Sequence, residues 1–253
     1  MKISIITVVW NNLATIGEAI DSVLSQTYDD IEYIVIDGGS TDGTIEKVLS
    51  YGKKIDKFVS EEDDGLYHAM NKGIALATGD IIGFLHSDDI FADTEVLSTI
   101  ATKFNNNLAL DACYGDMIYS SRFNTSTIMR YWKSNTFEPG SFSKGWSPPH
   151  LAFFVKLKIY KKYGGFDTKY KISSDIELMM RFLEIHRINS EYFPQIFIKM
   201  RNGGTSTLLK NKVEQNKEVL VALESHNLPK NIITFFSYKF ISRLKQFIQR
   251  PKN

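Results

Sequence analysis

The chain has 253 residues, 43% of them hydrophobic and 23% charged, and its 30 Lys and Arg against 29 Asp and Glu leave a net charge of +1. That composition excludes a disordered chain and a globally basic nucleic-acid binder, so nucleic acid is not expected as a partner. The single cysteine, Cys113, excludes an intramolecular disulfide and a cysteine-built zinc site, and it fits a reducing, cytoplasmic setting.

Met1-Lys2 leads straight into the β-branched run Ile3–Val9, which reads as a strand and is too short for the apolar core of a leader. Residues 13–26 place Leu13, Ile16, Ile20, Val23 and Leu24 at helical spacing. A second strand is expected over 31–36, ending at Asp37-Gly38-Gly39, and Asp42 then stands as the N-cap of a helix through Leu49. A short strand over 57–60, a helix over 66–77 and an apolar strand over 80–85 follow, the last ending at His86-Ser87-Asp88-Asp89. Apolar strands alternating with helices predict an α/β fold with a mostly parallel sheet covered on both faces. The second half is less regular. Strands are expected over 111–119, 127–132, 151–155 and 190–200, with a Gly/Ser/Pro-rich loop at 140–149. Ser173 or Ser174 is placed to cap a helix through Leu183, and 208–225 reads as a polar helix after the loop 201–206.

In an open parallel sheet, ligands bind outside the carboxyl ends of the strands. Three such ends carry polar residues here: Thr7 to Asn12, Asp37 to Thr44, and His86 to Asp89. Adjacent acids such as Asp88-Asp89 repel each other at the end of a buried strand unless a cation or hydrogen-bond donors compensate. Oxygen-rich sites of this kind suit Mg²⁺ or Mn²⁺, and the plain alternative is that Asp89 or Asp93 caps the next helix. Gly38-Gly39-Ser40-Thr41-Asp42-Gly43 matches neither common nucleotide signature. It is either a tight strand-to-helix turn or a place where Asp37 meets a base or ribose and the glycines admit it closely. Lys72 either meets a phosphate or is a solvated helix lysine. Trp146 either stacks on a sugar ring or is core, His150 either lines an acceptor site or is structural, and Arg181 pairs with Glu177 at i,i+4.

Taken in order, Thr7-Val8-Val9-Trp10-Asn11, Asp37 to Thr44, Gly65 to Gly73, Phe84 to Asp89, Gly164 to Asp167 and Ser174 to Leu178 resemble the motifs of family 2 glycosyltransferases, over roughly residues 1–207. The resemblance implies a GT-A fold. This is a Rossmann-like three-layer sandwich in which 1–110 bind a nucleotide-sugar, 111–207 bind an acceptor and 208–253 form a helical extension. It also implies inverting transfer of a sugar, most often from a UDP-linked donor, to a hydroxyl of a glycan acceptor. Carried over by position, Thr7, Val9, Asn11, Asp37, Gly38, Lys72, Ser87 and Asp88 would hold the donor. Asp88 and Asp89 would hold Mn²⁺ or Mg²⁺ on the diphosphate, Asp175 would be the catalytic base, and Trp146 and His150 would line the acceptor. Without the resemblance, Asp175 reads as a helix-start charge favoured by the dipole. The late loop 203–206 resembles one that closes near the diphosphate in some members. His86 departs from the family's Asp-x-Asp-Asp pattern at its first acid, and a neutral imidazole there either joins the metal or sits beside the nucleotide.

From residue 230 the chain carries Lys230, Lys239, Arg243, Lys245 and Arg250 without an acid, and Ile233, Phe236, Phe240, Leu244, Phe247 and Ile248 fall near one helical face. Such a helix suits an anionic bilayer surface, here the inner face of the cytoplasmic membrane, or docks on the body or at a homodimer contact. No run of 18 apolar residues occurs, so no membrane-spanning helix is expected. The leading expectation is a peripheral enzyme of surface polysaccharide synthesis with a lipid-linked acceptor such as an undecaprenyl-diphosphate glycan. The alternatives are a non-catalytic nucleotide-sugar-binding or scaffold subunit, motivated by His86, and a nucleotidyltransferase, against which stands the lack of a glycine/basic amino-terminal loop for a triphosphate.

Overall fold

The computed structural model describes residues 1–203, 209–249 and 251. One nine-stranded sheet organises the chain. Its first part is parallel: β3 (Lys57–Ser60), β2 (Ile31–Asp37), β1 (Ile3–Val9) and β4 (Ile81–Phe84) lie side by side in that order. The sheet then continues through β8 (Phe153–Lys156), β6 (Ala112–Ser120), β9 (Ser190–Arg201) and β5 (Ile90–Phe91), while β7 (Ile128–Trp132) pairs beside β6. Of the later pairings only β6–β9 is parallel. The two expected halves therefore share one sheet, joined where β8 runs antiparallel to both β4 and β6.

Side chains of a strand alternate between faces, and β1 shows what each face meets. Ile6 points at α3 (Leu66–Leu76), which approaches so closely that a Cβ on its Gly73 would lie 2.4 Å from an Ile6 methyl. Thr7, one residue on, points the other way, and its hydroxyl accepts from Tyr33 at 3.1 Å. That second face is covered by α1 (Leu13–Leu24) and α2 (Thr44–Leu49), whose end is tied back by Tyr51 donating to the Gly17 carbonyl. Ile3, Ile5, Ile34, Val35, Ile36, Ile81 and Ile82 are fully buried between the layers. Burial on both faces explains their near-continuous apolar runs.

The remaining helices are α4 (Val96–Asn106), α5 (Leu157–Tyr163), α6 (Ser174–Met180), α7 (Leu209–Ser225) and α8 (Ile232–Ile248). Several boundaries differ from expectation. The strand expected over 151–155 is a 3-10 turn at His150–Ala152 followed by β8. The helix expected through Leu183 is α only to Met180 and continues as a π-helical turn, Arg181–Ile185. Asp42 lies just outside α2, yet its carboxylate accepts from the Thr44 amide at 3.0 Å. Neither α5 nor the two-residue β5 follows from the sequence pattern, since both are too short for periodicity to register. Asp89 leads into β5, and Asp93 accepts from the Glu95 amide ahead of α4. The loop 203–206 lies outside the described residues beyond Gly203. α7 belongs to the body, since Val219, Ala222 and Leu223 are buried in the core. Among the described residues, no helix is long and apolar enough to cross a membrane.

Candidate active site

Three strand ends are tied into one unit at the carboxyl edge of the parallel sheet. Asn11 adopts a left-handed conformation with φ 46°, which asparagine tolerates better than most residues. From there its amide donates to Ser40 Oγ at 2.7 Å and its side-chain carbonyl accepts from the Thr41 amide at 2.8 Å. Asn12 extends the lattice, donating from its amide to Thr44 Oγ1 (3.0 Å) and from Nδ2 to Ser87 Oγ (2.9 Å). Thr15 donates to the Ser87 carbonyl at 2.9 Å. The loops after β1, β2 and β4 are thereby held together, although they are far apart in sequence.

Asp37 ends β2 completely buried. Its Oδ2 accepts from the Gly39 amide (3.0 Å), the Ser40 amide (2.9 Å) and Ser60 Oγ (2.7 Å). Its Oδ1 is buried and has no partner among the described residues. A Cβ on Gly38 would already be in van der Waals contact with Trp10 and Asp63 Oδ2, each 3.6 Å away, and Trp10 is 68% exposed at the rim. A carboxylate held by three donors through one oxygen and left unmet at the other is prepared for a donor from a ligand.

The second carboxylate group sits past β4. Asp89 is fully buried; its Oδ1 accepts from the Arg201 amide at 2.9 Å, and its Oδ2 has no partner among the described residues. Burial, and then the charge of Asp88 beside it, push the Asp89 carboxyl well above the usual range. A cation would relieve both effects, and two carboxylates suit an ion that completes its shell with phosphate oxygens and water. The expected set His86, Asp88 and Asp89 is not assembled: among the described residues no three His, Cys, Asp or Glu side chains are arranged to hold a metal. Asp89 is turned toward Arg201 instead, and the His86 ring faces the His150 ring at 5.4 Å between centroids. Burial lowers the pKa of each imidazole to about 4, aided at His86 by His150, so both are neutral at pH 7.

Asp175 stands in the first turn of α6. Tyr67 donates to its Oδ1 at 3.0 Å and to the Ile172 carbonyl at 2.9 Å. His150 Nδ1 lies 3.9 Å from Oδ2, and His150 Nε2 is buried with no partner among the described residues. Burial raises the Asp175 carboxyl; the Ile176 amide and Tyr67 act against that rise. The loop before α6 is gripped from α7. Glu218 accepts from the amides of Lys171 (2.8 Å), Ile172 (2.9 Å) and Ser173 (2.8 Å). A carboxylate with raised proton affinity, held by two elements, is suited to take a proton at neutral pH.

The structure brings Asn11, Asp37, Gly38, Ser87, Asp88, Asp89, His86, His150 and Asp175 to the same edge of the sheet. Four expected residues play other parts. Trp146 is 6% exposed, packs among Tyr114, Phe137 and Phe142, and donates to Asn135 Oδ1 at 2.8 Å, so it is core and not a sugar platform. Thr7 is buried with its hydroxyl spent on Tyr33, and Val9 is buried too, so neither side chain is free for a nucleoside. Lys72, its side chain 33% exposed, pairs with Asp63 (2.5 Å) and Glu61 (2.7 Å). Arg181 pairs with Glu177 as expected, at 2.9 Å, and the half-buried guanidinium shares this buried carboxylate with His226. Tyr67, Asp63, Arg201 and Glu218 join the site without a role that the sequence pattern assigns. Tyr67 lies within the motif Gly65 to Gly73 and Asp63 two residues before it, whereas nothing near Glu218 points to its role.

The model of glycosyl transferase family 2 matches residues 4–164. A PGL/p-HBAD biosynthesis glycosyltransferase of Mycobacterium bovis is 26% identical over 213 residues, covering 83% of this chain and 80% of that protein. An uncharacterized glycosyltransferase of Rickettsia typhi is 32% identical over 222 residues, 84% of this chain and 68% of its own length. Among solved structures, residues 1–349 of TarS from S. aureus superpose with a TM-score of 0.67 at 17% identity, covering all of this chain and 76% of that one. A complex of the same protein with UDP-GlcNAc gives 0.67 at 16% identity, over 95% of this chain and 73% of that one. The mannosyltransferase PcManGT from Pyrobaculum calidifontis, in complex with GDP-Man and Mn²⁺, gives 0.65 at 18%, over 95% and 69%. At these identities the superpositions speak to the fold, which is of the GT-A kind.

Proposed function

This chain belongs to glycosyltransferase family 2, and from that premise we propose that it moves a sugar from a nucleotide-sugar, a UDP-sugar foremost, to an acceptor hydroxyl with inversion. The observation that carries the reading is that two buried carboxylate oxygens, Asp37 Oδ1 and Asp89 Oδ2, have no partner among the described residues and lie at the strand edge beside Asp175. Two unmet acceptors in a protein interior are costly unless a ligand meets them. A nucleoside donates hydrogen bonds, which suits Asp37; a cation on a diphosphate suits Asp88 and Asp89. The relatives whose structures hold UDP-GlcNAc or GDP-Man with Mn²⁺ support the donor class and the ion.

The chain's own residues would act as follows. Asp37 and the Gly38 backbone beside it orient the nucleoside, and Asp88 and Asp89 hold Mn²⁺ or Mg²⁺. When bound, that ion stabilises negative charge on the departing diphosphate. Asp175 takes the proton of the acceptor hydroxyl as its oxygen bonds to the anomeric carbon and the bond to the diphosphate oxygen breaks. No acid is needed for that leaving group, which fits a site with one well-placed base. His150 and His86, both neutral, are placed to hydrogen-bond sugar or acceptor hydroxyls beside Asp175. A lipid-linked glycan, with surface polysaccharide as its product, is the acceptor class we favour.

A panel of UDP- and GDP-sugars, with and without Mn²⁺, tests the donor by thermal shift, since a ligand at 100 times its Kd adds about 2.7 kcal/mol. One nucleotide-sugar should stabilise the protein in a metal-dependent way, and Asp88→Ala should abolish that response with the apo melting temperature retained. No response to any donor, or full transfer by an Asp88→Ala/Asp89→Ala variant, would remove the reading.

A further inference from the structure

The outer face of α8 is apolar. Phe235 and Gln246 are buried, and Lys239 and Ser242 half-buried, along one stripe that packs on β7 and the 142–144 turn. At about 100° per residue, Ile233, Phe240, Leu244 and Ile248 recur on the opposite stripe, with Phe236 and Ile241 at its margins. These six side chains are 43–80% exposed. Docking on the body therefore leaves the larger apolar face uncovered, and single scattered exposures do not account for it.

Charge says what covers that face. Arg243 and Lys245 lie about 100° to either side of Leu244, where they would border a surface on which the stripe rests. Glu224 is the last acid in the chain; Lys230, Lys239, Arg243, Lys245, Arg250 and Lys252 follow it. A second copy of α8 would bring like charges together with no acid in either helix to pair them. Anionic phosphates at a bilayer surface pair them, while the acyl boundary takes the apolar stripe.

We propose that α8 seats this protein on an anionic lipid bilayer, with Ile233, Phe236, Phe240, Ile241, Leu244 and Ile248 in the interface and Arg243 and Lys245 among the phosphates. The inner stripe adds a consequence. Phe235 and Lys239 line the same small cavity as Ile176, the residue after Asp175. One helix, about 10 Å thick, then separates the membrane from the element that carries the candidate base. An acceptor anchored in that bilayer would reach Asp175 without leaving it; this consequence rests on the transferase reading, whereas the lipid binding does not.

The test is co-sedimentation of the full chain with vesicles of phosphatidylcholine alone or mixed equally with anionic phosphatidylglycerol. The protein should sediment with the anionic vesicles and far less with the neutral ones. Phe240→Ser/Leu244→Ser should weaken binding at least about tenfold with an unchanged melting temperature, since both side chains are exposed in the free protein. Lys245→Gln should weaken binding to anionic vesicles about fivefold and leave neutral vesicles unaffected. Wild-type protein remaining in both supernatants, or a double variant that sediments like wild type, would overturn the proposal. So would a concentration-dependent dimer, without vesicle binding, that the double variant dissolves; the face would then belong to a second copy. Vesicle binding in a protein that transfers no sugar from any donor would retire the transferase reading alone.

Discussion

The Tyr67 hydroxyl donates to Asp175 Oδ1 at 3.0 Å, joining α3 to the start of α6 across 108 residues of chain. Burial raises the Asp175 carboxyl, and this hydrogen bond opposes the rise by favouring the charged form. Tyr67→Phe removes the opposition, so the proton affinity of Asp175 climbs further. A base works only when deprotonated, and the acidic limb of the kcat/KM profile should therefore move to higher pH in the variant. Asp175→Asn should lower kcat by about 10²–10⁴-fold with donor binding kept. A Tyr67→Phe limb that stays in place would detach Asp175 from the proton transfer.

Asp37 allows a cleaner separation of fold from binding. Asp37→Asn can leave its carbonyl oxygen where Gly39, Ser40 and Ser60 donate, and it then presents an amide in place of Oδ1. The site thereby offers a donor where a ligand needs an acceptor. Thermal shift should find an apo melting temperature near wild type and no stabilisation by UDP. Asp37→Ala should instead lose about 1–3 kcal/mol of stability, because three donors are left unmet.

Glu218 is expected to be a positioning residue. Glu218→Ala strands the Lys171, Ile172 and Ser173 amides ahead of Asp175, at a cost of about 1–3 kcal/mol. Loosening that loop should lower kcat while the donor KM holds, since the donor side is built from other strands. Glu218→Gln retains one carbonyl oxygen and should recover part of the turnover. A purely structural role would lower the melting temperature without changing kcat per folded molecule.

Glu32 predicts the acid behaviour of the fold. Burial alone would raise its carboxyl, but donors from Lys57, Ser4 and Thr78 outweigh burial and hold it at about 2. Its folded pKa is depressed, so its stabilisation is complete above the unfolded carboxyl range and fades as pH falls from about 4.5 toward 2. Glu32→Gln should cost about 2–3 kcal/mol at pH 7 by urea unfolding and progressively less at acid pH. An equal deficit at pH 7 and pH 3 would mean that packing, not charge, explains the loss.

Much of this protein was legible in one dimension. Apolar runs such as Ile3–Val9 report burial on both faces of a sheet through their own composition. Polar residues at the ends of those runs, Asp37 and Asp88-Asp89 among them, mark the carboxyl edge because strands must stop where the ligand side begins. Trp146 was open to two readings because an indole serves a sugar platform and an aromatic core equally well; its burial among Tyr114, Phe137 and Phe142 settles the matter.

Sequence alone thus determined the class of fold, the succession of strands and helices along its parallel half and the candidate acids, because each follows from what a residue's near neighbours in the chain must bury or expose. Tertiary structure decided which atoms meet: Tyr67 and Glu218 on Asp175 and its loop, Arg201 on Asp89, Asp63 on Lys72. Even where such partners lie close in sequence, as Asp63 and Lys72 do, a hydrogen bond depends on the orientation of two side chains in space, and packing alone supplies that orientation.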